Sequence, residues 1–314
     1  FLFTICRMRS ASECERFLMN LADLHCDTPY RIYHEKLPFD DMRLQVSSRR
    51  LFTFDQVKQV FAIWSDKRLS DQECYADFWQ IRRAFLEALD HANLPPQFSY
   101  LLGVEDARLL CGDIDRLELL YGAGVRFLTL VWHGSTIIGG ACDTEDPLLP
   151  FGQQVVRRCF EIGMIPDVSH ASRRVIDEVA EFSAQAGKPF VATHSNAYAV
   201  TPHRRNLTDW HFQLIKKSGG IVGISMAPRH LSGEKSCRIS DVIRHIEHDF
   251  GLGGEDCVCL GCDFDGIDSA PEGLDCVDCL PRLAAELARL GYSDAQINKL
   301  FYENANAFLS KNVK

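Results

Sequence analysis

Ile165-Pro166-Asp167-Val168-Ser169-His170, then Ser172 to Phe182, then Phe190-Val191-Ala192-Thr193-His194: this stretch decides the fold. Two short runs rich in β-branched and apolar residues flank a segment in which Val175, Ile176 and Val179 recur at helical spacing. Ser172 stands where a helix N-cap belongs. Strand, helix and second strand make one βαβ unit of a parallel sheet. Each of its strands runs into a histidine.

Working outward, six more runs have the same character: Ala22–Cys26, Val60–Trp64, Tyr100–Val104, Arg126–Val131, Ile221–Ser225 and Val258–Gly261. Several are near-continuous apolar runs, as expected of parallel strands covered on both faces. Helical segments alternate with them. Asp71 to Leu89 carries Tyr75, Phe78, Trp79, Arg82, Phe85 and Leu89, and Asp113 to Tyr121 stops at Gly122. Asp209 to Lys217 ends at Ser218-Gly219-Gly220, Pro281 to Leu290 ends at Gly291, and Ser293 opens a further helix. Eight strand–helix repeats predict an α/β protein, a (β/α)8 TIM barrel of the metal-dependent hydrolase type. A doubly wound open sheet is the alternative, but its G-x-G-x-x-G fingerprint after the first strand is absent.

One catalytic domain is expected over 19–314. Residues 1–18 are expected to be an extension, because Met19 directly precedes the first strand and Phe1 to Cys6 is too short for a signal-peptide core. The chain has 314 residues, 46% hydrophobic and 25% charged, an ordinary globular balance. A net charge of -9 argues against nucleic-acid partners, which need Lys and Arg at phosphates. No stretch is apolar enough to span a membrane. The 13 cysteines read as free thiols in a reducing compartment, so a cytoplasmic location is expected. Cys257, Cys259, Cys262, Cys276 and Cys279 cluster in sequence. Cys257 and Cys259 share one face of a strand, and Cys276/Cys279 is a lone C-x-x-C, whereas structural zinc usually takes two such pairs.

The polar residues at the strand ends carry the chemistry. His25 and Asp27 end the first strand, Glu105 the third, His170 the fifth, His194 the sixth and Asp263 the eighth. In a barrel these ends converge on one mouth. Taken singly, each has a plain explanation: Glu105 as a helix-terminal carboxylate, His170 and His194 as surface histidines. Their shared register with strand ends has no such explanation. Imidazole and carboxylate are ligands for zinc and related ions. Three histidines and two carboxylates suffice for two ions if one carboxylate bridges. Such a pair activates a shared water and polarises a carbonyl, and a further acid can move protons.

Asp23-Leu24-His25-Cys26-Asp27-Thr28-Pro29, Gly103-Val104-Glu105, Gly124 to Leu130, Asp167-Val168-Ser169-His170-Ala171-Ser172, Ala192-Thr193-His194-Ser195-Asn196-Ala197, Arg204-Arg205-Asn206-Leu207 and Gly261-Cys262-Asp263-Phe264-Asp265-Gly266 follow one another in order. In these motifs the chain resembles the membrane (renal) dipeptidase family, metallopeptidase family M19, among the amidohydrolase-type barrels. The resemblance implies a zinc dipeptidase with two ions per chain, in which a metal-bridging hydroxide attacks the peptide bond of a dipeptide. It implies His25 and Asp27 on one ion, His170 and His194 on the other, and Glu105 bridging both. It places Arg205 on the substrate's terminal carboxylate. It places Asp263, with Asp265 as the alternative, against the substrate amine as proton shuttle. The family's substrate-contacting histidine after the fourth strand is matched here by Trp132, with His133 next along. Family members are often homodimers.

Two other readings compete: a related barrel hydrolase of a lactone, ester or cyclic amide, and a non-catalytic ligand-binding barrel. A free carboxylate in the substrate needs a cation, so Arg205 separates the first from a dipeptidase. Gly139-Gly140 with Asp143 and Thr144 reads as a loop near the site. His203, Arg204 and Arg205 have the alternative reading of a solvated basic patch, His245 and His248 read as surface residues of a polar helix, and Met226, Trp64 and Phe264 as core or pocket wall.

Overall fold

The computed structural model describes residues 19–313, and the expected extension over 1–18 lies outside them. Strands β1 (Met19–Cys26), β2 (Phe54–Trp64), β3 (Gln97–Glu105), β4 (Val125–Thr129), β5 (Ile165–Asp167), β6 (Val222–Ile224) and β7 (Val258–Leu260) form one sheet in the order β5-β4-β3-β2-β1-β7-β6. All of its pairings are parallel. Residues 190–193 span the gap between β5 and β6: Val191 bridges to Asp167 and Ala192 to Val222, both in parallel. The bonds are Val168 N to Val191 O (2.8 Å), Val191 N to Pro166 O (3.0 Å), Ala192 N to Ile221 O (3.2 Å) and Gly223 N to Ala192 O (2.9 Å). The curled sheet thereby closes into the eight-membered ring of a TIM barrel, with the eighth strand reduced to one bridge on each side.

Most of the ring is buried on both faces, so β5, β6 and β7 show no alternation. Helices cover the outside, with their starts set by local chemistry. Ser70 and Glu73 form a reciprocal capping box ahead of the helix Asp71–Asp90. Ser172 accepts from Val175 N at 3.1 Å and starts the helix Arg173–Ala186. Asp209–Lys217 begins on a Thr208 cap, and Asp294–Asn298 on a Ser293 cap. His245 corrects the sequence reading. It is fully buried, not on the surface: its Nδ1 accepts from Ala197 N at 3.0 Å and its Nε2 bonds Leu231 O at 2.9 Å. Val242 and Ile246, also buried, mark the apolar stripe of the helix Ile239–Gly251 on which His245 falls. His248, on the outer side, pairs with Asp209.

Two glycines let the ring close tightly. A Cβ on Gly223 or on Gly261 would sit on the carbonyl oxygen of Thr193, which is backbone and cannot move aside. Gly261→Ala is expected to lower unfolding free energy by about 1–3 kcal/mol through overpacking, read as a fall in urea midpoint at unchanged slope. An unaltered midpoint would mean that the strands do not approach this closely in solution.

Candidate active site

Five ligand-type side chains reach the C-terminal mouth of the barrel from four strands. Glu105 stands at their centre. Its Oε1 lies 2.8 Å from His170 Nε2 and 3.5 Å from His194 Nε2, while its Oε2 lies 3.6 Å from His25 Nε2. His25 Nε2 is also 3.5 Å from Asp27 Oδ2. His25, Asp27 and Glu105 form one set able to hold a metal ion, and Glu105, His170 and His194 a second. His170 is held at φ 69°, a left-handed conformation unusual for a non-glycine residue. The Gly139–Thr144 loop braces it: Cys142 N donates to His170 O at 2.7 Å, and Ser172 N to Gly140 O at 2.9 Å.

Behind the ligands lies a network that the sequence reading did not single out. The buried Asp167 carboxylate accepts four hydrogen bonds: Ser169 N and Thr193 N at 2.9 Å, and the Thr129 and Thr193 hydroxyls at 2.6 Å. Because the Thr193 hydroxyl spends its proton on Asp167, it can only accept from imidazoles. It lies 2.9 Å from His194 Nδ1 and 3.4 Å from His25 Nδ1. Both rings therefore carry a proton on Nδ1 and turn Nε2 toward Glu105. The available signal in the sequence was an aspartate inside an apolar strand, which burial tolerates only when the carboxylate is fully bonded.

The electrostatics suit a divalent cation. Burial, reinforced by Arg205, pushes His170 down to about 4, and burial pushes His194 well below its ordinary value, so both are neutral. Burial also disfavours a charged His25, but Glu105 and Asp27 outweigh it and hold this imidazole above its ordinary value. Glu105 stays well below the usual carboxylate range, since the facing histidines overcome its burial. Asp27 rises to about 6, from burial and then repulsion by Glu105. His25 Nε2 and Asp27 Oδ1 are buried without any hydrogen-bond partner. Unpartnered nitrogen and oxygen atoms beside a shared carboxylate fit a borderline metal ion such as zinc.

Asp263 Oδ1 lies 4.0 Å from His25 Nε2, at φ 64°. Burial first, then Asp27 and Glu105, push its carboxyl well above the usual range. Asp265 is placed differently. Thr28, Arg31, Gln45 N and Val46 N occupy its oxygens at 2.7, 3.0, 2.8 and 3.2 Å, so it serves as a structural clamp. Gly266 closes over the acids: a Cβ there would strike Asp27 and Asp263.

The mouth opens into a cavity of about 620 Å³ lined by Asp27, Glu105, His170 and Asp263, an aromatic wall of Tyr30, Trp64 and Trp132, and the cations Arg229 and Lys235. Trp64 and Trp132 pack with centroids 5.1 Å apart. His133 turns elsewhere. It is half-exposed and its Nδ1 lies 3.1 Å from Asp143, so Trp132 and not His133 lines the cavity. Met226 and Phe264 are core. Of the basic trio, Arg204 is exposed and His203 half-buried, whereas Arg205 is 8% exposed. Arg205 Nη2 donates to His194 O at 3.3 Å, and Arg205 Nε is buried without a partner. Among the described residues no carboxylate lies within ion-pair distance of it.

If Thr193 orients the ligands, Thr193→Val should weaken metal binding about 10–100-fold, while Thr193→Ser retains it. Chelator competition reads this directly, and equal affinity in all three proteins would remove Thr193 from the site.

The model of the membrane dipeptidase family, peptidase family M19, matches residues 84–311. Dipeptidase tcpJ of Claviceps purpurea is 31% identical over 209 residues, 65% of this chain but only 48% of its own length, so the chain spans about half of that relative. Two solved structures resemble it throughout. A metallopeptidase of family M19, dipeptidase AC, is 27% identical with a TM-score of 0.85, covering 94% of this chain and 98% of its own. A metallopeptidase from Rhodobacter sphaeroides, liganded with a phosphinate mimic of the dipeptide L-Ala-D-Ala, is 27% identical with a TM-score of 0.83, covering 94% and 99%. With a closed barrel, a metal-binding cluster at its mouth and a family match over most of its length, the chain belongs to the membrane dipeptidase family, peptidase family M19, whose chemistry is the metal-dependent hydrolysis of dipeptides.

Proposed function

We propose that the metal centre is a pair of zinc ions and that each residue around it has a defined part in cleaving a dipeptide. The observation that carries this is Glu105, with one carboxylate oxygen turned to His170 and His194 and the other to His25. His25 and Asp27 would hold one ion, His170 and His194 the other, and Glu105 both. Zinc bound there supplies a water made nucleophilic near neutral pH and polarises the scissile carbonyl.

The chain's own residues do the rest. Arg205 is a buried cation with an unused donor, an expensive arrangement unless an anion completes it. The terminal carboxylate of a dipeptide is such an anion, and its binding fixes the scissile bond beneath the cluster. Asp263 faces the cluster, its Oδ1 4.0 Å from His25 Nε2, with its carboxyl pushed up. It meets the substrate amine and carries a proton to the departing nitrogen. Tyr30, Trp64 and Trp132 exclude water and pack against the substrate's side chains. The R. sphaeroides relative's dipeptide mimic supports the same substrate class here. A lactone or cyclic amide would leave Arg205 unpaired, and a non-catalytic barrel would have no use for Asp263 in its place.

Purified protein should carry two zinc ions per chain by elemental analysis, lose activity on chelation and regain it with added zinc. Glu105→Gln should lower metal content as well as rate. Full metal stoichiometry in that variant would exclude the bridge.

Arg205→Ala should weaken productive dipeptide binding by about 2–5 kcal/mol, with turnover falling as well, because remote binding energy positions the bond. Wild type should strongly prefer a dipeptide over its C-terminal amide, and Arg205→Ala should lose that preference. Asp263→Asn should instead reduce kcat more than it alters KM. A preference undiminished in Arg205→Ala would take the carboxylate away from Arg205.

A further inference from the structure

We propose that Cys276 and Cys279 are a redox-active pair that closes into a disulfide by exchange with a small-molecule disulfide. Their sulfurs lie 3.3 Å apart. Cys279 N donates to Cys276 O at 2.9 Å, an i to i+3 turn that keeps the two Cα atoms within ~7 Å. That span matches disulfide geometry, so rotation of the side chains brings the sulfurs to the ~2.05 Å of a bond without moving the backbone.

The surroundings favour this over a metal site. Cys276, Asp278 and Cys279 could in principle converge on an ion. A guanidinium already fills that position: Arg50 Nη1 donates to Cys276 Sγ at 3.0 Å and to Asp278 Oδ1 at 2.8 Å. Arg50 stabilises a thiolate on Cys276 as it forms, whereas the Asp278 carboxylate beside it favours the thiol. Burial pushes the Cys276 thiol up, and Cys276 is only 8% exposed, while Cys279 is partly exposed. The order of events follows from that difference. Cys279 thiolate attacks the disulfide RSSR, forming a Cys279–SR mixed disulfide and releasing RS⁻, which takes up the Cys279 proton. Cys276 attacks Cys279 Sγ and gives up its proton. The second RS⁻ leaves and receives that proton. Two thiols and RSSR become one intramolecular disulfide and two RSH.

The test is equilibration of the full chain, folded and in its isolated state, with oxidised and reduced glutathione at graded ratios, followed by alkylation and peptide mapping. The expected result is a Cys276–Cys279 crosslink lighter by two hydrogens, fully reversed by reduced glutathione, with the other mapped thiols unchanged. Cys276→Ser should accumulate a stable glutathione adduct on Cys279, and Cys279→Ser should form none on Cys276. The wild-type map stands independently of how well either variant folds. A pair that stays reduced at every ratio, or is captured as two separate adducts, overturns the proposal. An adduct on Cys276 in Cys279→Ser with none on Cys279 in Cys276→Ser overturns the assigned order.

Discussion

The buried carboxylate of Asp167 is the interaction on which both the barrel and its site depend. Its four donors come from β4, from the chain just past β5 and from residues 190–193. Charge-assisted bonds of this kind are each worth about 1.5–3 kcal/mol, and breaking one leaves an ion partly unsatisfied in an apolar surrounding. They hold together the part of the ring where backbone pairing is thinnest, since 190–193 makes a single bridge to each neighbour. The same carboxylate consumes the Thr193 proton and so orients His194 and His25. Closure of the fold and preparation of the ligands are one network.

Around that network the mouth of the barrel concentrates structure that would be unfavourable elsewhere. His170, Asp263, Asp265 and Asp106 all hold positive φ. Such residues cost about 1–3 kcal/mol each and persist only when their surroundings over-determine them. Here the surroundings are visible: the 139–144 loop for His170, and the bonds to Thr28, Arg31 and Gln45 for Asp265. Rigid anchoring of the flanking residues is what aims Asp263 and His170 inward. Gly266 completes the arrangement, because only a residue without Cβ can pass over Asp27 and Asp263.

The charge distribution gives the site a direction. Carboxylates crowd the His25 side, neutral imidazoles the other, and Arg205 lies buried behind His170 and His194, lowering both. A small zwitterionic substrate would meet an acid at its amine end and a cation at its carboxylate end, with the metal ligands between. On the proposed reading, the field of the site orients the substrate before any side-chain pocket is considered.

Much of this was legible in sequence for a local reason. Strand and helix periodicities are short-range properties, and the residue that ends a barrel strand is at the mouth whatever the loops do. Hence the eight strands, the caps at Ser172 and Ser293, and the placement of His25, Asp27, Glu105, His170, His194 and Asp263 at one end could be read along the chain. The rest was decided only by folding. Trp132 and His133 are adjacent, yet one lines the cavity and the other pairs with Asp143 on the outside. Asp263 and Asp265 share a motif, yet only Asp263 keeps a free face, because donors from distant segments saturate Asp265. His245 looked like a surface residue until Ala197 and Leu231 closed on both its nitrogens. Asp167 showed only as an acid inside an apolar strand, and nothing local marked Thr193 as its partner, since their roles come from contacts between strands far apart in sequence. A period fixes which face a side chain takes, but its partners are chosen by tertiary contacts that no local pattern encodes.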